Sequence, residues 1–341
     1  MKTLQIVTIA ATANVARPQS GAGVYVRMKT TTIILSLAIL CGAALAAEVP
    51  VTKLTQEAAK IKVELGGQPF TTYWFADGDG APYVRPFCYP VLAADGTEVT
   101  SDQYKVAKGD HPHHRSLWVA HGDVNGADHW SLQKGAASPK QRHIAFSKVE
   151  GDTIVEQLEW EGKDGQPILK ETRTLRFFAF PDGNRGVDLT SVFSPIVDKV
   201  VFGDTKESGL CSVRVPKSMS DTAVLTQSTG KTDARPSKNE PNTWGKKAEW
   251  CDISGKVGEK TYGLTILDHP TNPRHPSNWH CRLYGLMSSN IFGQSEFTKG
   301  APKGDFTIEK DKPVTFRYRV VIHAGDAKAA DLDAKFKEFA K

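Results

Sequence analysis

Short segments in which apolar and polar residues alternate follow one another through most of the chain. Five of them lie within 144–204, where the alternation and the β-branched and aromatic residues are typical of strands. The breaks between them, such as EGD, GKDGQP and PDGNRG, consist of residues that favour turns. The same pattern predicts further strands at 61–65, 70–75, 83–92, 262–267 and 314–323.

Helical periodicity is found at the end of the chain. Over 327–340 the apolar residues Leu332, Phe336 and Phe339 fall on one face of a helix. Many short strands without helical crossovers favour packed antiparallel sheets over a parallel α/β sheet. The predicted fold class is therefore all-β: a single antiparallel β-sandwich domain over 47–341, with a short C-terminal helix.

The segment 28–46 has the three parts of a secretory signal peptide. A lysine precedes an apolar run over 33–40, and the small-residue pattern ALA follows at 44–46. Cleavage is expected at the end of this pattern or one residue later, and residues 1–27 are interpreted as an over-extended start. A membrane anchor is the alternative, but the apolar run is shorter than the ~20 residues that span a bilayer. The sequence thus predicts a periplasmic or secreted protein without a stable membrane span.

The balance of charges argues against a polyanionic partner. The chain has 43 basic and 38 acidic residues, but four of the basic and none of the acidic ones precede residue 47. The remainder is nearly neutral and contains no basic run, so neither nucleic acid nor anionic lipid is predicted as a partner. A carbohydrate or another small molecule is the expected partner.

Four cysteines lie beyond the predicted leader: Cys88, Cys211, Cys251 and Cys281. An export compartment permits disulfides, and the sequence does not rank the three possible pairings. Buried free thiols are the alternative. No two of these cysteines have CxxC spacing, so a cysteine-rich metal cluster is not predicted.

Eight of the ten histidines fall in two windows, 111–130 and 267–285. Both windows also contain Arg, Asp, Asn and Trp. Imidazole titrates near neutral pH, binds metals, and both gives and takes protons. These windows are therefore where the sequence predicts a functional site.

The two windows are predicted to be loops on the strand scaffold. In the first, Pro112 imposes an extended path on His111, and the short strand SLWVA is followed by the turn-rich HGDVNGADHW. In the second, Pro270, Pro273 and Pro276 argue against regular structure and stiffen the backbone. A stiff polar loop is a suitable mount for a site.

The strings DHPHHRSLWVAHGDVNG, GDTKESGL, GLTILDHPTNPRHPSNWH and YGLMSSNIFG resemble a family of exported bacterial proteins called PmoA-like, a domain of unknown function. The resemblance covers nearly all of 47–341. It implies a galactose-mutarotase-like supersandwich and a connection with sugar metabolism. The methane oxygenase label of that family supplies no reaction here, because the chain beyond the leader lacks apolar runs long enough for membrane helices.

The first hypothesis is an enzyme of the epimerase, lyase or hydrolase type that acts on a carbohydrate. Histidines with carboxylates can exchange protons near neutral pH, arginine can hold an anionic oxygen, and aromatic rings can support a sugar. The candidate catalytic residues are the acid/base histidines His111, His114 and His121, the orienting Asp123 and Asp268, the anion-holding Arg115 and Arg274, and also His269 and His275. Similarity to the mutarotase-like enzymes adds Glu207 as a general base. The candidate substrate-binding residues are Trp118, Asn125, Asn272, Trp279, His280 and Tyr284, with Trp130 as a further platform.

A metal site is the second hypothesis. The first window holds enough imidazole and carboxylate to bind zinc, copper or iron, chiefly in its HPHH motif. In an extended segment, however, His111 and His113 would point one way and His114 the other. His275 or His280 would then have to complete the shell, so no metal or other cofactor is assigned.

The third hypothesis is a non-catalytic carbohydrate-binding protein of the cell envelope. Trp and His in rigid loops suit binding alone, and a fold does not decide between binding and catalysis. The number of titratable groups is the feature that favours an enzyme.

Overall fold

The structure is a computed structural model that describes residues 50–132 and 138–341. The predicted signal peptide at 28–46 and residues 1–27 lie outside the described residues. In the described ranges the chain forms nineteen strands and three short helices. The first strands are β1 (Thr52–Gln56), β2 (Lys60–Leu65), β3 (Gln68–Trp74), β4 (Phe87–Val91), β5 (Leu117–His121), β6 (Gln141–Glu150), β7 (Thr153–Glu161), β8 (Pro167–Ala179) and β9 (Arg185–Pro195). The others are β10 (Lys199–Phe202), β11 (Ser208–Arg214), β12 (Val224–Gln227), β13 (Thr232–Ala234), β14 (Trp250–Val257), β15 (Lys260–Asp268), β16 (Asn278–Arg282), β17 (Leu286–Asn290), β18 (Phe306–Glu309) and β19 (Val314–Ala324). The helices are α1 (Lys217–Ser220), α2 (Gln294–Phe297) and α3 (Leu332–Phe339).

Two large sheets contain all of these strands except β10 and β18, which pair with each other. The eight-stranded sheet has the order β1-β2-β3-β4-β5-β11-β17-β16. The nine-stranded sheet has the order β13-β12-β14-β15-β19-β9-β8-β7-β6. The pairings within the described ranges are antiparallel, as between β8 and β9 or between β16 and β17. The predicted all-β, antiparallel class is therefore confirmed.

The main hydrophobic core joins the two large sheets. It contains Ile61 and Val213 from the eight-stranded sheet and Leu189 and Ile253 from the nine-stranded sheet, each no more than 3% exposed. Along β7, buried positions alternate with partly exposed ones, because successive side chains of a strand point to opposite faces. Burial of one apolar face against another is what holds the sandwich together.

The predicted C-terminal helix is confirmed, although it is shorter than 327–340. It begins at Leu332 because Asp331 adopts a left-handed backbone conformation with φ 47°, which interrupts the turns before it. Phe336 and Leu332 pack with Leu267 of β15 in a second, smaller apolar cluster. None of the helices in the described ranges has the length and hydropathy of a membrane span.

The second histidine window is not irregular throughout. Its segment Asn278–Arg282 forms β16, an edge strand paired with β17. The three prolines of the window all precede residue 277, so the backbone N–H groups that this pairing requires are present. The prediction of irregular structure is wrong for this strand and holds for 269–277.

Strand β11 contains a bulge that reverses its alternation. Before the bulge Ser208 lies opposite His121, and after it Ser212 lies opposite Trp118. Ser208 faces the core, where its Oγ is 2.7 Å from Nδ1 of His121. Since one extra residue exchanges the two faces of a strand, Ser212 and Arg214 point away from the core.

The four cysteines of the described ranges are free and buried. Of the two alternatives from the sequence, free thiols match this arrangement. Burial raises the pKa of the Cys88 thiol to about 12, so it is protonated at neutral pH.

A buried ion pair lies within the nine-stranded sheet. The guanidinium of Arg173 donates to both carboxylate oxygens of Glu171 at 2.7 and 2.8 Å, and both residues are at most 2% exposed. Glu171 also accepts hydrogen bonds from Ser191 Oγ at 2.6 Å and Trp160 Nε1 at 2.8 Å. The carboxylate is thus the centre of a fully buried polar network.

Glu171→Ala is expected to lower the free energy of unfolding by about 3 to 5 kcal/mol, because it leaves Arg173 charged and unpaired in the core. Urea unfolding at neutral pH measures this. The matched control is Lys217→Ala, which breaks an exposed ion pair with Asp221 and should change stability by less than about 1 kcal/mol. Equal effects of the two variants would contradict the prediction.

Candidate functional site

The candidate site lies on the face of the eight-stranded sheet that points away from the main core. A row of residues crosses this face: Trp118 of β5 lies opposite Ser212 of β11, which lies opposite Ser288 of β17, which lies opposite His280 of β16. Trp130 packs over both ends of the row, with ring centroids 5.6 Å from Trp118 and 6.5 Å from His280. Because serine side chains are small, the surface of the sheet between the large rings is recessed.

The HPHH motif forms a turn above this row instead of the predicted extended segment. The N–H of His114 donates to the carbonyl of His111 at 2.9 Å. As a result the His111 ring stacks on His114 at 4.7 Å and on Tyr284 at 5.1 Å, and His113 contacts His114 edge-on at 4.5 Å. The expectation that His114 points away from its neighbours is wrong, because the turn brings all three rings together. We refer to His111, His113, His114, His280, Trp118, Trp130 and Tyr284 as the histidine cluster.

Arg214 at the end of β11 supplies a buried positive charge next to the histidine cluster. Its Nη1 lies 3.0 Å from Nδ1 of His114, and its Nη2 lies 2.8 and 3.1 Å from the two carboxylate oxygens of Asp110. The guanidinium also lies over the ring of Tyr284 at 4.8 Å. Asp110 in turn lies 3.1 Å from Nδ1 of His111. Arg214 therefore contacts His114 and Tyr284, the two rings that stack on either side of His111.

The partner of His114 fixes its tautomer. Arginine only donates hydrogen bonds, so Nδ1 of His114 accepts and the ring proton lies on Nε2. Burial, together with the nearby positive groups, holds the pKa of His114 well below 6.5, so the ring is neutral. Burial likewise lowers the pKa of His113 to about 4 and that of His280 to about 3. His114 is thus a neutral hydrogen-bond donor.

Three N–H donors of the histidine cluster are buried without a hydrogen-bond partner among the described residues. They are Nε2 of His114, Nε1 of Trp118 and Nε1 of Trp130, all on side chains at most 2% exposed. The three rings lie 5.4 to 5.6 Å apart. A buried donor without an acceptor costs about 1 to 3 kcal/mol, so such groups are usually satisfied by water or a ligand. The cluster is therefore suited to an oxygen acceptor.

Glu207 stands at the rim of the histidine cluster, directly before β11. Its carboxylate is 40% exposed and lies 3.7 Å from Nζ of Lys206. Partial burial raises its pKa above the ordinary 4.5, against the opposing effects of Lys206 and His111. The charge of Glu207 also contributes to the raised pKa of Tyr284, for which burial is the main cause. These couplings place the carboxylate in the same electrostatic environment as the stacked rings.

The loop that carries Glu207 is anchored to the sheet. Nδ1 of His280 donates to the carbonyl of Lys206 at 2.8 Å. The side-chain amide of Asn290 donates to the carbonyls of Thr205 and Lys206 at 3.0 and 3.1 Å. His280 and Asn290 therefore hold the backbone of the loop that carries Glu207.

Eight of the residues named from the sequence come together here: His111, His113, His114, Trp118, Trp130, Glu207, His280 and Tyr284. The two histidine windows thus meet, but through the end of the second window. Arg214 was missed by sequence reasoning because it is one charged residue in an otherwise unremarked strand. Only its contact with His114, 100 residues earlier in the chain, gives it a role.

Arg115 lies outside the histidine cluster. Its guanidinium is 4% exposed, lies over the ring of Phe87, and forms ion pairs with Asp79 and with Asp102, the latter at 2.7 Å. Two carboxylates already neutralise its charge. Arg115 therefore stabilises the loops around β5 in this structure.

His121 points to the opposite side of the eight-stranded sheet. Its Nε2 donates to the carbonyl of Gly203 at 3.0 Å, its Nδ1 is paired with Ser208, and its ring contacts Phe202 and Phe292. The residue is fully buried in the main core. Both ring nitrogens are thus occupied within the fold.

Asp123 and Asn125 organise the turn after β5. Oδ1 of Asp123 accepts a hydrogen bond from the N–H of Gly126 at 2.7 Å. The amide of Asn125 bonds to the N–H of Val201 at 2.8 Å and to the carbonyl of Lys199 at 3.3 Å. These contacts attach the turn to β10 and lie outside the histidine cluster.

The prolyl part of the second window packs toward α3. Asp268 accepts hydrogen bonds from Asn272 at 2.7 Å and from Nδ1 of His275 at 3.0 Å. The ring of His275 stacks on Phe336, and that of His269 contacts Phe339. These side chains lie beside the C-terminal apolar cluster and not at the histidine cluster, so a composite site of His114 with His275 is not formed.

Arg274 and Trp279 also have structural partners. Arg274 donates to the carbonyls of Ile291, Gly304 and Asp305. Trp279 is fully buried in the main core, and its Nε1 donates to the carbonyl of Ala248 at 2.9 Å. Neither side chain contacts the stacked rings.

The ring geometry does not support a shared metal ion at the HPHH motif. The lone pairs of imidazole lie in the ring plane, and the planes of His111 and His114 are parallel within 2°. Parallel planes do not intersect, so these two rings cannot bind one ion in this arrangement. In the part of the chain that the structure describes, no group of three His, Cys, Asp or Glu side chains is placed to hold a metal.

Comparison with known sequences defines the family. A model described as "Family of unknown function (DUF6807)" matches residues 60–337. The match spans most of the chain, and the chain belongs to this family. No curated protein matches it. The resemblance to the PmoA-like family stays a prediction.

Solved structures that match the chain include galactose-mutarotase-like proteins, as the resemblance implied. A galactose mutarotase related enzyme from Lactobacillus acidophilus has a TM-score of 0.37 and 7% identity, with 80% of this chain and 97% of that chain covered. An aldose epimerase homologue from C. elegans has a TM-score of 0.32 and 7% identity, with 81% and 99% covered. At this distance the similarity carries no information about chemistry, which follows from the residues of the site.

Proposed function

We propose that the protein is a carbohydrate-active enzyme of the epimerase, lyase or hydrolase type, and that the sugar binds at the histidine cluster. The observation that carries the proposal is the arrangement of His111 between His114 and Tyr284, beside Glu207 and above three buried N–H donors. Aromatic rings can pack against the apolar face of a sugar, and polar groups around them can bind its hydroxyls.

The partly exposed residues and the buried residues of the site have different roles in this proposal. Glu207 and His111 are partly exposed and carry groups that exchange protons, so Glu207 would take a proton from the sugar and His111 would return one. The N–H groups of His114, Trp118 and Trp130 would stabilise negative charge that develops on a sugar oxygen. His114 acts as a donor in this scheme, because its tautomer and neutrality are fixed by Arg214 and by burial.

Deuterium exchange tests the proposal directly. The protein is incubated in D₂O with a panel of neutral, acidic and keto sugars, and loss of C–H signals or formation of product is followed by NMR. The matched variant is His111→Phe, which keeps the ring stack but has no ionisable nitrogen. We expect wild-type exchange or turnover with at least one sugar. In the variant, product formation should fall by about 10²-fold or more, whereas exchange at the C–H bond from which Glu207 takes the proton can continue.

Two results would contradict this scheme. Sugar binding without exchange or turnover would favour the non-catalytic carbohydrate-binding protein. Undiminished product formation in His111→Phe would remove His111 from the reaction. Neither result depends on knowing the natural sugar, because the panel samples the classes of C–H bond that such enzymes activate.

We also propose that the protein is exported to the periplasm or the medium, on the basis of the signal-peptide pattern at 28–46. In a bacterial host, the full chain with a C-terminal tag should appear outside the cytoplasm, with its mature N-terminus at Ala47 or Glu48 by mass spectrometry. A variant that lacks 28–46 should stay in the cytoplasm. Uncleaved full-length protein in the cytoplasmic fraction would contradict export.

A further inference from the structure

A cavity of about 480 Å³ adjoins the histidine cluster. Three residues belong to the cavity wall and also contact the stacked rings: Asp110, Arg214 and Tyr284. The side chains that contact the stacked rings therefore also line the cavity, which adjoins the histidine cluster through them. The loop 103–109 and helix α1 form much of the remaining wall.

The wall of the cavity has an excess of positive charge. It contains four cationic side chains and two carboxylates. The carboxylate of Asp110 is paired with Arg214, and that of Asp221 is paired with Lys217 at 2.6 Å. The other two cations, Lys108 and Arg235, have no carboxylate partner among the described residues. Two positive charges are therefore available to a ligand.

Two hydrogen bonds to backbone carbonyls fix the position of the Arg235 guanidinium. Its Nε donates to the carbonyl of Ser220 at 3.2 Å, and its Nη2 donates to the carbonyl of Leu283 at 3.2 Å. Carbonyl oxygens orient the guanidinium but do not neutralise it, and the planar fork keeps further N–H groups for an anion. Arg214 adds a third group: it is 5% exposed, and its Nε is buried without a partner.

Lys108 occupies an unfavourable backbone conformation. Its φ is 61°, in the left-handed region where a side chain with a Cβ costs about 1 kcal/mol relative to glycine. A strained position at the edge of a cavity is a common feature of binding sites. A glycine at this position would avoid the cost but would not place an amine at the wall of the cavity.

We propose that this cavity binds an anionic oxygen group of the sugar, so that the substrate is an acidic carbohydrate, with Arg235 and Lys108 as specificity-determining residues. The proposal rests on the proposed function of the histidine cluster and narrows its substrate class. A carboxylate of a uronic acid and a sulfate or phosphate ester share the required chemistry, since each presents several acceptor oxygens and a negative charge. Two unpaired cations exceed the single negative charge of a carboxylate or sulfate ester and match the nearly double charge of a phosphate monoester.

Matched sugar pairs test this inference. Binding of glucuronate against glucose, galacturonate against galactose, and the 6-sulfate and 6-phosphate of glucose against glucose is measured by calorimetry on the intact protein. At least one acidic member should bind about tenfold or more tightly than its neutral partner, as expected for a hydrogen bond to a charged group. The preference should weaken with added salt. The sugar pair that shows the largest difference in affinity tells whether the anionic group is a carboxylate, a sulfate ester or a phosphate ester.

Substitutions assign the preference to the cavity. Arg235→Gln and, independently, Lys108→Gln should each reduce the preference for the acidic member and leave affinity for the neutral one unchanged. Lys108→Gln serves if Arg235→Gln does not fold, because Lys108 is exposed. The control is Lys231→Gln, an exposed lysine that does not line the cavity and should change neither affinity.

The outcomes separate this inference from the proposed function. Equal binding of acidic and neutral sugars would overturn the acidic substrate class and leave a neutral-sugar enzyme in place. A preference that survives both substitutions would overturn the assignment to this cavity. If no sugar of either kind binds, the proposed function falls and the acidic substrate class falls with it.

Discussion

Glu207→Gln is expected to lower kcat by about 10²- to 10⁴-fold, the loss typical of removing a general base. Glutamine keeps the shape of the side chain but cannot accept the proton. In the wild type, activity requires the ionised carboxylate, so it should be present above the pKa of Glu207 and fall as the pH drops through it. Since partial burial raises that pKa, this acid limb should lie above pH 4.5. Initial rates across a pH series measure both effects, with tryptophan fluorescence at each pH used to separate loss of activity from unfolding.

Glu296→Gln is the matched control for this prediction. Glu296 has a similar exposure, 38%, and its carboxylate lies 3.0 Å from the same lysine, Lys206. Its negative charge contributes to the raised pKa of Glu207, so the variant should keep the plateau rate and move the acid limb to lower pH. The assignment of Glu207 as base would fail if both variants lost activity equally, or if Glu207→Gln kept the wild-type kcat.

Lowering the pH from 7 to about 4 is expected to unfold the protein through its buried histidines. His114, His121, His129 and His280 are each at most 2% exposed. Burial lowers the pKa of His121 and His280 to about 3 and that of His129 to about 4, and holds that of His114 well below 6.5. Below pH 6.5 these rings take up protons in the unfolded chain but not in the folded one.

The sign and size of this effect follow from linkage. A lowered folded-state pKa gives a contribution to stability that is complete above pH 6.5 and is lost as the pH falls toward the folded value. Each histidine changes the free energy of unfolding by about 1.4 kcal/mol per pH unit, and four together by roughly 5 kcal/mol per unit. Two such units remove roughly 10 kcal/mol, which is comparable to the whole stability of a folded protein, about 5 to 15 kcal/mol.

Urea unfolding followed by tryptophan fluorescence, at several pH values between about 7 and 5, measures this slope. His121→Gln should reduce the slope of the free energy of unfolding against pH by about 1.4 kcal/mol per pH unit, the contribution of one histidine. The control is His269→Gln, since His269 lies partly exposed near the C-terminal helix and burial lowers its pKa by less than that of His121, so its share of the loss is smaller. A free energy of unfolding that stays constant over this range would refute the prediction.

Burial on one side imposes alternation, which makes a strand such as β2, expected at 61–65, easy to predict. The expected 262–267 and 314–323 correspond to β15 and β19, which are buried on both faces over much of their length and are predicted from their apolar and β-branched residues. The pattern is weaker where both faces are covered. Strand β11 is buried at every position, so its sequence shows no period of two that could be recognised.

The candidate site could be located from the sequence but not assembled. Histidine clustering indicates both windows, and Pro112 by itself predicts an extended path. In the structure it sits inside a tight turn, a position where proline is also favoured, and this reverses the direction of His114. Arg214 could not be anticipated, because its contacts with Asp110 and His114 depend on strand order, which a single sequence does not specify.

The bulge in β11 has a consequence for any change in the length of that strand. Before the bulge, the alternation of side chains turns Ser208 toward the interior, where it pairs with His121. After the bulge, the alternation turns Arg214 toward the outer surface, where it contacts His114. Deleting one residue within the bulge would remove this change in alternation. Either Ser208 or the guanidinium of Arg214 would then be turned to the wrong side of the sheet, so a single-codon deletion there should be more damaging than most substitutions in the same strand.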